Sequence, residues 1–106
     1  MWSVTAQNIY MVEGDFGIIL PIKIEGITLT ASDSIKVTIK KERNGNALIE
    51  KVFTNITQNT VNLELTEEES NSLHTGLYVY TIDWYQNNVF MCNLIEQAYF
   101  GVVDKA

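Results

Sequence analysis

The stretch from residue 65 to residue 85 constrains the fold of this chain more than any other part of its sequence. Thr66 and Glu69 have the spacing of a capping box, in which each side chain accepts a hydrogen bond from the other residue's backbone N–H. This pair predicts a short helical turn at residues 67–73. Directly after that turn, large apolar residues recur at every second position, which predicts a half-buried strand.

One face of this strand carries Tyr78, Tyr80, Ile82 and Trp84. The order Gly-x-Tyr-x-Tyr after a helical turn is similar to the tyrosine corner of immunoglobulin-like sandwiches, in which a tyrosine hydroxyl bonds to backbone at the preceding corner. We therefore predict a structural role for Tyr78. Tyr80 stands where antibody domains have a core cysteine, so the sequence excludes that inter-sheet disulfide.

Turn signals divide the rest of the sequence into short runs of alternating or apolar residues. The runs predict strands at 8–11, 16–25, 34–41, 47–54, 59–65 and 77–85, with 89–95 and 98–103 as one broken strand or as two. Seven or eight strands with one helical turn are typical of an all-β protein, and specifically of an immunoglobulin-like antiparallel β-sandwich. A chain of 106 residues builds one two-layer core, so we expect a single domain over residues 1–106.

The alternation also predicts which side chains face the core. Those of the second, third and fifth strands are Ile18, Leu20, Ile22, Ile24, Ile35, Val37, Ile39, Val61, Leu63 and Leu65. Pro21 lies within the second run and has no N–H to donate, so it predicts an edge position or a bulge.

Asn44 and Gly45 form the strongest hairpin signal, because both tolerate a positive φ. Two registers stay open for the strands on either side. A two-residue loop places Val52 opposite Val37, whereas a three-residue loop places Phe53 there. The choice matters because a slip of one residue exchanges the two faces of a strand.

The formal net charge is −6, from 13 acidic and 7 basic residues. Phosphate binding requires clustered basic residues, so nucleic acid is not an expected partner. Cys92 is the single cysteine, which excludes an intrachain disulfide framework and fits folding in the reducing cytoplasm. The sequence shows no signal peptide and no apolar run long enough to cross a membrane.

Few residues in this chain could carry catalysis. His74, the one histidine, lies in a predicted corner loop. Cys92 lies in an apolar run without a basic neighbour, which is typical of a small buried hydrophobic residue rather than of a nucleophile. No phosphate-binding glycine loop and no metal-ligand spacing is present. We therefore predict a protein that is not an enzyme and has no catalytic, cofactor-binding or metal-binding residues.

Large aromatic residues near strand ends are the remaining candidates for a binding surface, because such side chains are enriched in protein interfaces and also form platforms for sugars. These candidates are Trp2, Tyr10, Trp84, Tyr85 and Tyr99. The competing interpretation is that Trp84 and Tyr99 complete the core.

Three segments carry a further resemblance: a short strand with a Gly-Asp turn at 8–15, a charged strand at 33–41, and a Leu-Thr, acidic turn, Leu and Gly-x-Tyr-x-Tyr pattern at 65–80. With these segments, the whole chain resembles a family of small β-sandwich domains from tailed phages and prophages of Gram-positive bacteria. The best-known example of the family is the N-terminal domain of upper baseplate proteins.

The resemblance implies a structural or adaptor protein of a virion, in the baseplate, tail, fibre or head, that is assembled in the bacterial cytoplasm. Its partners would be other virion proteins, in a homo-oligomer or a mixed assembly, with no membrane insertion. Two alternatives remain open. One is a β-sandwich module that binds carbohydrate or a host surface, and the other is a bacterial protein–protein adaptor.

Overall fold

A computed structural model describes residues 8–17, 19–24, 28–42, 45–56 and 59–104. Most of these residues lie in strands, and the one helix among them is short. The elements are β1 (Ile9–Val12), β2 (Ile19–Lys23), β3 (Asp33–Lys40), β4 (Ala47–Phe53), β5 (Thr60–Glu64), α1 (Glu67–Asn71), β6 (Gly76–Gln86) and β7 (Val89–Val103). The prediction of an all-β fold is confirmed.

The strands form two open sheets. One has five strands in the order β1-β7-β6-β3-β4, and the other has two strands, β2 and β5. All pairs are antiparallel except β1 with β7, which runs parallel from Ile9 opposite Phe100 to Val12 opposite Val103. The prediction of an entirely antiparallel fold is therefore wrong at this pair. The two strands come from opposite ends of the sequence, so no short hairpin forces them to run in opposite directions.

The apolar faces of the two sheets share one core. Ile35, Val37 and Ile39 are buried on β3, and Val61 and Leu63 are buried on β5, as their alternation predicted. This confirms the predicted inward faces of the third and fifth strands.

The second strand differs from its prediction. It covers only Ile19–Lys23, because Gly17 has a positive φ of 74° that interrupts extended backbone before it. Ile24 is buried, but Leu20 is exposed, since it lies at the open border between the sheets. Among the described residues β2 pairs with β5 alone, so Pro21 is on an edge strand as predicted. Ile18 lies outside the described residues.

Both predicted registers for the β3–β4 hairpin are wrong. Val37 lies opposite Lys51, and Phe53 lies opposite Ile35. The pairing resumes at Lys40 opposite Ala47 after a shift beside Ile39. The connection is therefore longer than the two or three residues considered, and Asn44 lies outside the described part of it. This register places Phe53 against the core and leaves Val52 exposed.

The helix α1 contains the predicted capping box. The Glu69 N–H donates to the Thr66 hydroxyl (3.2 Å), and the Thr66 N–H donates to the Glu69 carboxylate (2.9 Å). Burial opposes ionisation of Glu69, but an ion pair with Lys51 and the bonds from Thr66 hold its pKa below the usual range. The helix ends at Asn71, two residues earlier than predicted. There the Leu73 N–H bonds to the Ser70 carbonyl, and Leu73 enters the core.

The corner after α1 contains the hydrogen bond predicted for Tyr78. Its hydroxyl donates to the His74 carbonyl oxygen (2.8 Å) and accepts from the His74 N–H (2.9 Å). The ammonium group of Lys41 lies 4.5 Å from the centre of the same ring. Tyr78 and Tyr80 are both buried. The Tyr78 side chain therefore fixes the corner to the start of strand β6.

We expect Tyr78→Phe to lower the free energy of unfolding by about 1–2 kcal/mol, because the His74 amide and carbonyl lose their partner in a partly buried corner. Urea denaturation at neutral pH measures this change. Tyr99→Phe is the matched control, since that ring is exposed, and its effect should stay within about 0.5 kcal/mol. Equal effects of the two substitutions would contradict the structural role of Tyr78.

Candidate docking surfaces

The outer face of the five-stranded sheet, opposite the core, carries three of the five aromatic residues singled out from the sequence, and two of these three are exposed. Tyr10 is 63% exposed and Tyr99 is 43% exposed. Tyr10 lies on β1 opposite Gly101, and Tyr99 lies on β7 opposite Val79 of β6. The alternation of side chains along β7 places Tyr99 and Gly101 on the same face. The fold thus brings Tyr10 and Tyr99 to one surface although they are far apart in the sequence.

Apolar neighbours extend this surface. Leu77 lies opposite Gly101 on the β6 side, and Val103 follows Gly101 on the same face of β7. Both side chains are about half exposed. We call the four residues Tyr10, Leu77, Tyr99 and Val103 the outer patch. Three neighbouring strands contribute to it, so it is one surface rather than a set of scattered side chains.

Gly101 makes room for the ring of Tyr10. A Cβ atom at position 101 would lie 2.6 Å from Cδ1 and 2.8 Å from Cε1 of Tyr10, too close for any side chain to be added without movement. The ring therefore packs over the glycine at the edge of the sheet, in the way that aromatic residues cover glycines in strands. This contact holds the Tyr10 ring in place although most of its surface is exposed.

Two carboxylates border the outer patch. Glu13 Oε2 accepts from the Thr75 N–H (2.7 Å), and Asp104 Oδ1 lies 2.8 Å from the Thr75 hydroxyl. That hydroxyl also lies 3.0 Å from Glu13 Oε2, so its single hydrogen can be donated to either of the two acids. Glu13 and Asp104 directly follow patch strands β1 and β7 in the sequence. The rim at this end is negatively charged.

Trp84 does not contribute to an interface. It is only 6% exposed, and its indole N–H donates to Asp33 Oδ1 (3.0 Å). The prediction that Trp84 could be an interface residue is therefore wrong, and the competing core interpretation is confirmed for this residue. It is wrong for Tyr99, which is exposed.

Asp33 is a buried carboxylate with several donors. Besides the indole, it accepts at Oδ2 from the Thr30 N–H (2.7 Å) and the Thr30 hydroxyl (3.1 Å). Burial opposes its ionisation, but these bonds outweigh burial and lower the pKa of Asp33 below its usual range. The charge is thus held inside the protein by three donors.

The other two aromatic candidates are not part of the outer patch. Tyr85 is half-buried at the far end of the same sheet, with its ring centre 5.6 Å from that of Phe90 in an edge-to-face contact. Trp2 lies outside the described residues. Beside Tyr85, three consecutive residues that were not among the predicted surface candidates are exposed: Val89, Phe90 and Met91. The signal that could have found them is the apolar run directly after a two-asparagine turn.

A groove of about 240 Å³ opens between the two sheets. Its walls are apolar and come from β1, β5 and the chain before and within β2, including Met11, Phe16, Leu20 and Leu65. Among the described residues that line it, Asp15 is the one with a charged side chain, and no paired catalytic groups occur. The groove lies at the open border between the two sheets, where Leu20 remains exposed.

Within the described ranges, no three His, Cys, Asp or Glu side chains are grouped as metal ligands would be. Cys92 is partly buried and packs against the core, and His74 is exposed. No described helix has the length and apolar character required to cross a bilayer. No protein-family model, curated protein or solved structure matches this chain.

We expect the stability of the protein to decrease as the pH falls below about 4. The pKa of Asp33 is lower in the folded protein than its ordinary value of 3.8. Its stabilising contribution is therefore complete above the ordinary pKa and is lost as the pH falls through the folded pKa. Glu69, whose pKa is also lowered, contributes in the same direction.

Asp33→Asn should lower the free energy of unfolding by about 1–3 kcal/mol at pH 7, because an amide has one acceptor oxygen where Asp33 uses two. The variant should also lose less stability than the original protein between pH 7 and pH 3. Urea denaturation at both pH values measures the difference. An unchanged pH dependence in the variant would contradict a role for the Asp33 charge.

Proposed function

We propose that this chain is a non-enzymatic docking domain that binds another protein through the outer patch. The observation that carries the proposal is a cluster of four exposed apolar side chains from three neighbouring strands, two of them tyrosines, with two carboxylates at its border. Exposed apolar patches rimmed by polar residues mark interaction sites in soluble proteins. Tyrosine is also among the residues that contribute most to binding energy at interfaces.

The polar part of the same face supports this choice of surface. Lys36 lies between Asp83 on β6 and Val52 on β4, and it forms an ion pair with Glu50 at 3.1 Å. The hydrogen bond and charge of Glu50 raise the pKa of Lys36. Charged groups that are already paired in water add little to affinity, so the patch is the part of the face that gains most from being covered.

We also propose that the fold is an immunoglobulin-like sandwich. In variable-type immunoglobulin domains, strands C′, C, F and G form one sheet, and B pairs with E in the other. In chain order, β2 to β7 correspond to B, C, C′, E, F and G. The two observed sheets have this grouping, and the Tyr78 corner lies before the F strand. These correspondences support an immunoglobulin-like sandwich.

We further propose that the domain belongs to a phage or prophage particle, as a structural or adaptor protein. The support comes from the sequence resemblance, carried by the Gly14-Asp15 turn and the corner ending in Tyr78 and Tyr80. Gly14 has a φ of 88°, so the turn uses a conformation that favours glycine. A virion subunit acts by repeated docking, which suits an exposed apolar surface patch.

The test is whether the chain enters particles through the patch. In cells that naturally contain the protein, a tagged copy carrying Leu77→Lys and Tyr99→Lys should be depleted at least tenfold from sedimented phage particles, measured by quantitative mass spectrometry. Two buried lysines would each lose hydration in the interface without a partner. Val52→Lys is the matched control, because Val52 is 61% exposed on the same sheet face but outside the patch.

Three outcomes separate the proposals. Recovery of the original chain and the control in particles, with loss of the double variant, supports a virion docking domain. Recovery in a smaller complex of bacterial proteins, with the same loss, supports a bacterial adaptor and overturns the virion placement. Equal recovery of all three proteins in any complex overturns the outer patch as the docking surface.

A second candidate is a carbohydrate-binding surface, favoured by the two exposed tyrosines on one face of the sheet. If this is the function, a glycan array should show binding that Tyr99→Ala abolishes and Phe90→Ala leaves unchanged, with folding intact in both. Stacking of a sugar on the ring requires the ring itself, so the loss should be complete. An array without signal for the original chain would remove this candidate.

A further inference from the structure

A second surface, separate from the outer patch, lies along one edge of β7. Strand β1 pairs with β7 only from Phe100 to Val103. Between Val89 and Leu94, a segment we call the open edge, β7 pairs with β6 on one side, and no described strand pairs with it on the other. Among the described residues, its outward backbone N–H and C=O groups thus have no strand partner, and such groups can pair with a further strand.

The open edge lacks the protection that natural edge strands usually have. Its sequence, Val-Phe-Met-Cys-Asn-Leu, contains no charge, no proline and no glycine. Val89, Phe90 and Met91 are all exposed. Folded proteins avoid runs of three exposed apolar residues unless the run serves a function. An uncharged apolar edge is also a site where another strand can be added to the sheet.

The other edges among the described residues are protected. Strand β2 contains Pro21, which cannot donate to a ladder. Strand β4 has Glu50 and Lys51 at its centre, both in ion pairs. Strand β5 ends in the exposed Glu64, and β1 has only four residues. The open edge differs from these strands because it combines six residues in length with the absence of charge and proline.

The open edge is held in shape before any partner arrives. The turn between β6 and β7 uses Asn87 and Asn88 at positive φ values of 50° and 65°, as a tight two-residue hairpin requires. The Asn87 N–H donates to the Ser32 carbonyl (2.9 Å). The register shifts between Trp84 and Tyr85, so Met91 has no opposite residue on β6. A preformed edge spends less ordering entropy on binding.

We propose that the open edge accepts an extended β-strand from a partner protein, with apolar side chains and a neutral or basic character. We expect the occupant to be a strand, because the neighbouring part of this edge of β7 already pairs with strand β1. We expect this strand to be neutral or basic, because the chain has a net charge of −6 and would repel an acidic strand. Main-chain hydrogen bonds would provide affinity, and alternate side chains would provide selectivity.

The probe is a nine-residue peptide of alternating threonine and valine with a lysine at each end. Titrated into the full chain, it should slow hydrogen exchange of backbone amides between Val89 and Leu94, as measured by NMR. Two control peptides define the chemistry. Methylation of the central amide nitrogens should abolish binding, and glutamate in place of the lysines should weaken it at least threefold.

Protein variants locate the site. Met91→Lys should weaken peptide binding at least tenfold, because it places a charge on the edge and repels the basic probe. Val52→Lys is the matched control on the edge strand β4, and it should bind like the original chain. Both positions are exposed, so neither substitution should unfold the protein, and thermal denaturation verifies this.

Several results would overturn the proposal. Binding of the N-methylated peptide with equal affinity would show that backbone pairing is not used. Equal losses in both variants would place the site elsewhere. Pairing of two copies through Met91 in sedimentation experiments, or binding only by a variant that lacks residues 1–7, would assign the edge to this chain itself rather than to a partner. None of these results bears on the outer patch, whose test substitutes Leu77 and Tyr99 and shares only the Val52→Lys control.

Discussion

The packing of the inward face of β6 against the rest of the core is the interaction on which the structure depends. With a single cysteine in the sequence, no intrachain disulfide can join the sheets. The buried residues Tyr78, Tyr80, Ile82 and Trp84 each contribute about 1.5–3 kcal/mol or more by leaving water. Two of these residues also donate hydrogen bonds. The Tyr78 hydroxyl donates to the His74 carbonyl at the corner, and the Trp84 indole N–H donates to Asp33. Strand β6 thus contributes four buried side chains to the core, and it is hydrogen-bonded to His74 before its start and to Asp33 near its end.

The inward face of β6 also decides what the outward face presents. Because side chains alternate along a strand, filling the core from Tyr78 onward places Leu77 outside, and the pairing with β7 then places Gly101 beside it. Glycine at that position admits the Tyr10 ring from β1. The outer patch is therefore a consequence of the strand register that builds the core. A shift of one residue in β7 would remove the patch and disturb the core together.

The parts of this structure that the sequence predicts are those set by near neighbours. The capping box joins Thr66 to Glu69, and the Tyr78 hydroxyl bonds to backbone four residues away, so both are visible in a short window. The parallel β1–β7 pair and the Trp84–Asp33 bond, which spans 51 residues, depend on how distant segments meet. The β3–β4 register depends on a bulge and a loop length that a turn signal alone does not specify. Tyr10 and Tyr99 were identified as exposed candidates, but only the fold shows that they share a surface.

The two proposed surfaces differ in chemistry and in position, and this difference bears on how an adaptor would work. The outer patch offers side chains, so its affinity would depend on apolar area and on the rings of Tyr10 and Tyr99. The open edge offers backbone groups, so its affinity would depend on extended geometry more than on any one side chain. Their centres lie near opposite ends of β7, about 30 Å apart at roughly 3.3 Å per residue, and their nearest residues, Leu94 and Tyr99, are about 17 Å apart. That separation leaves room for two partners at once. A domain with an apolar binding face and a strand-accepting edge could therefore bind two different partners in an assembly at the same time. Neither interaction requires a change in the core of the domain.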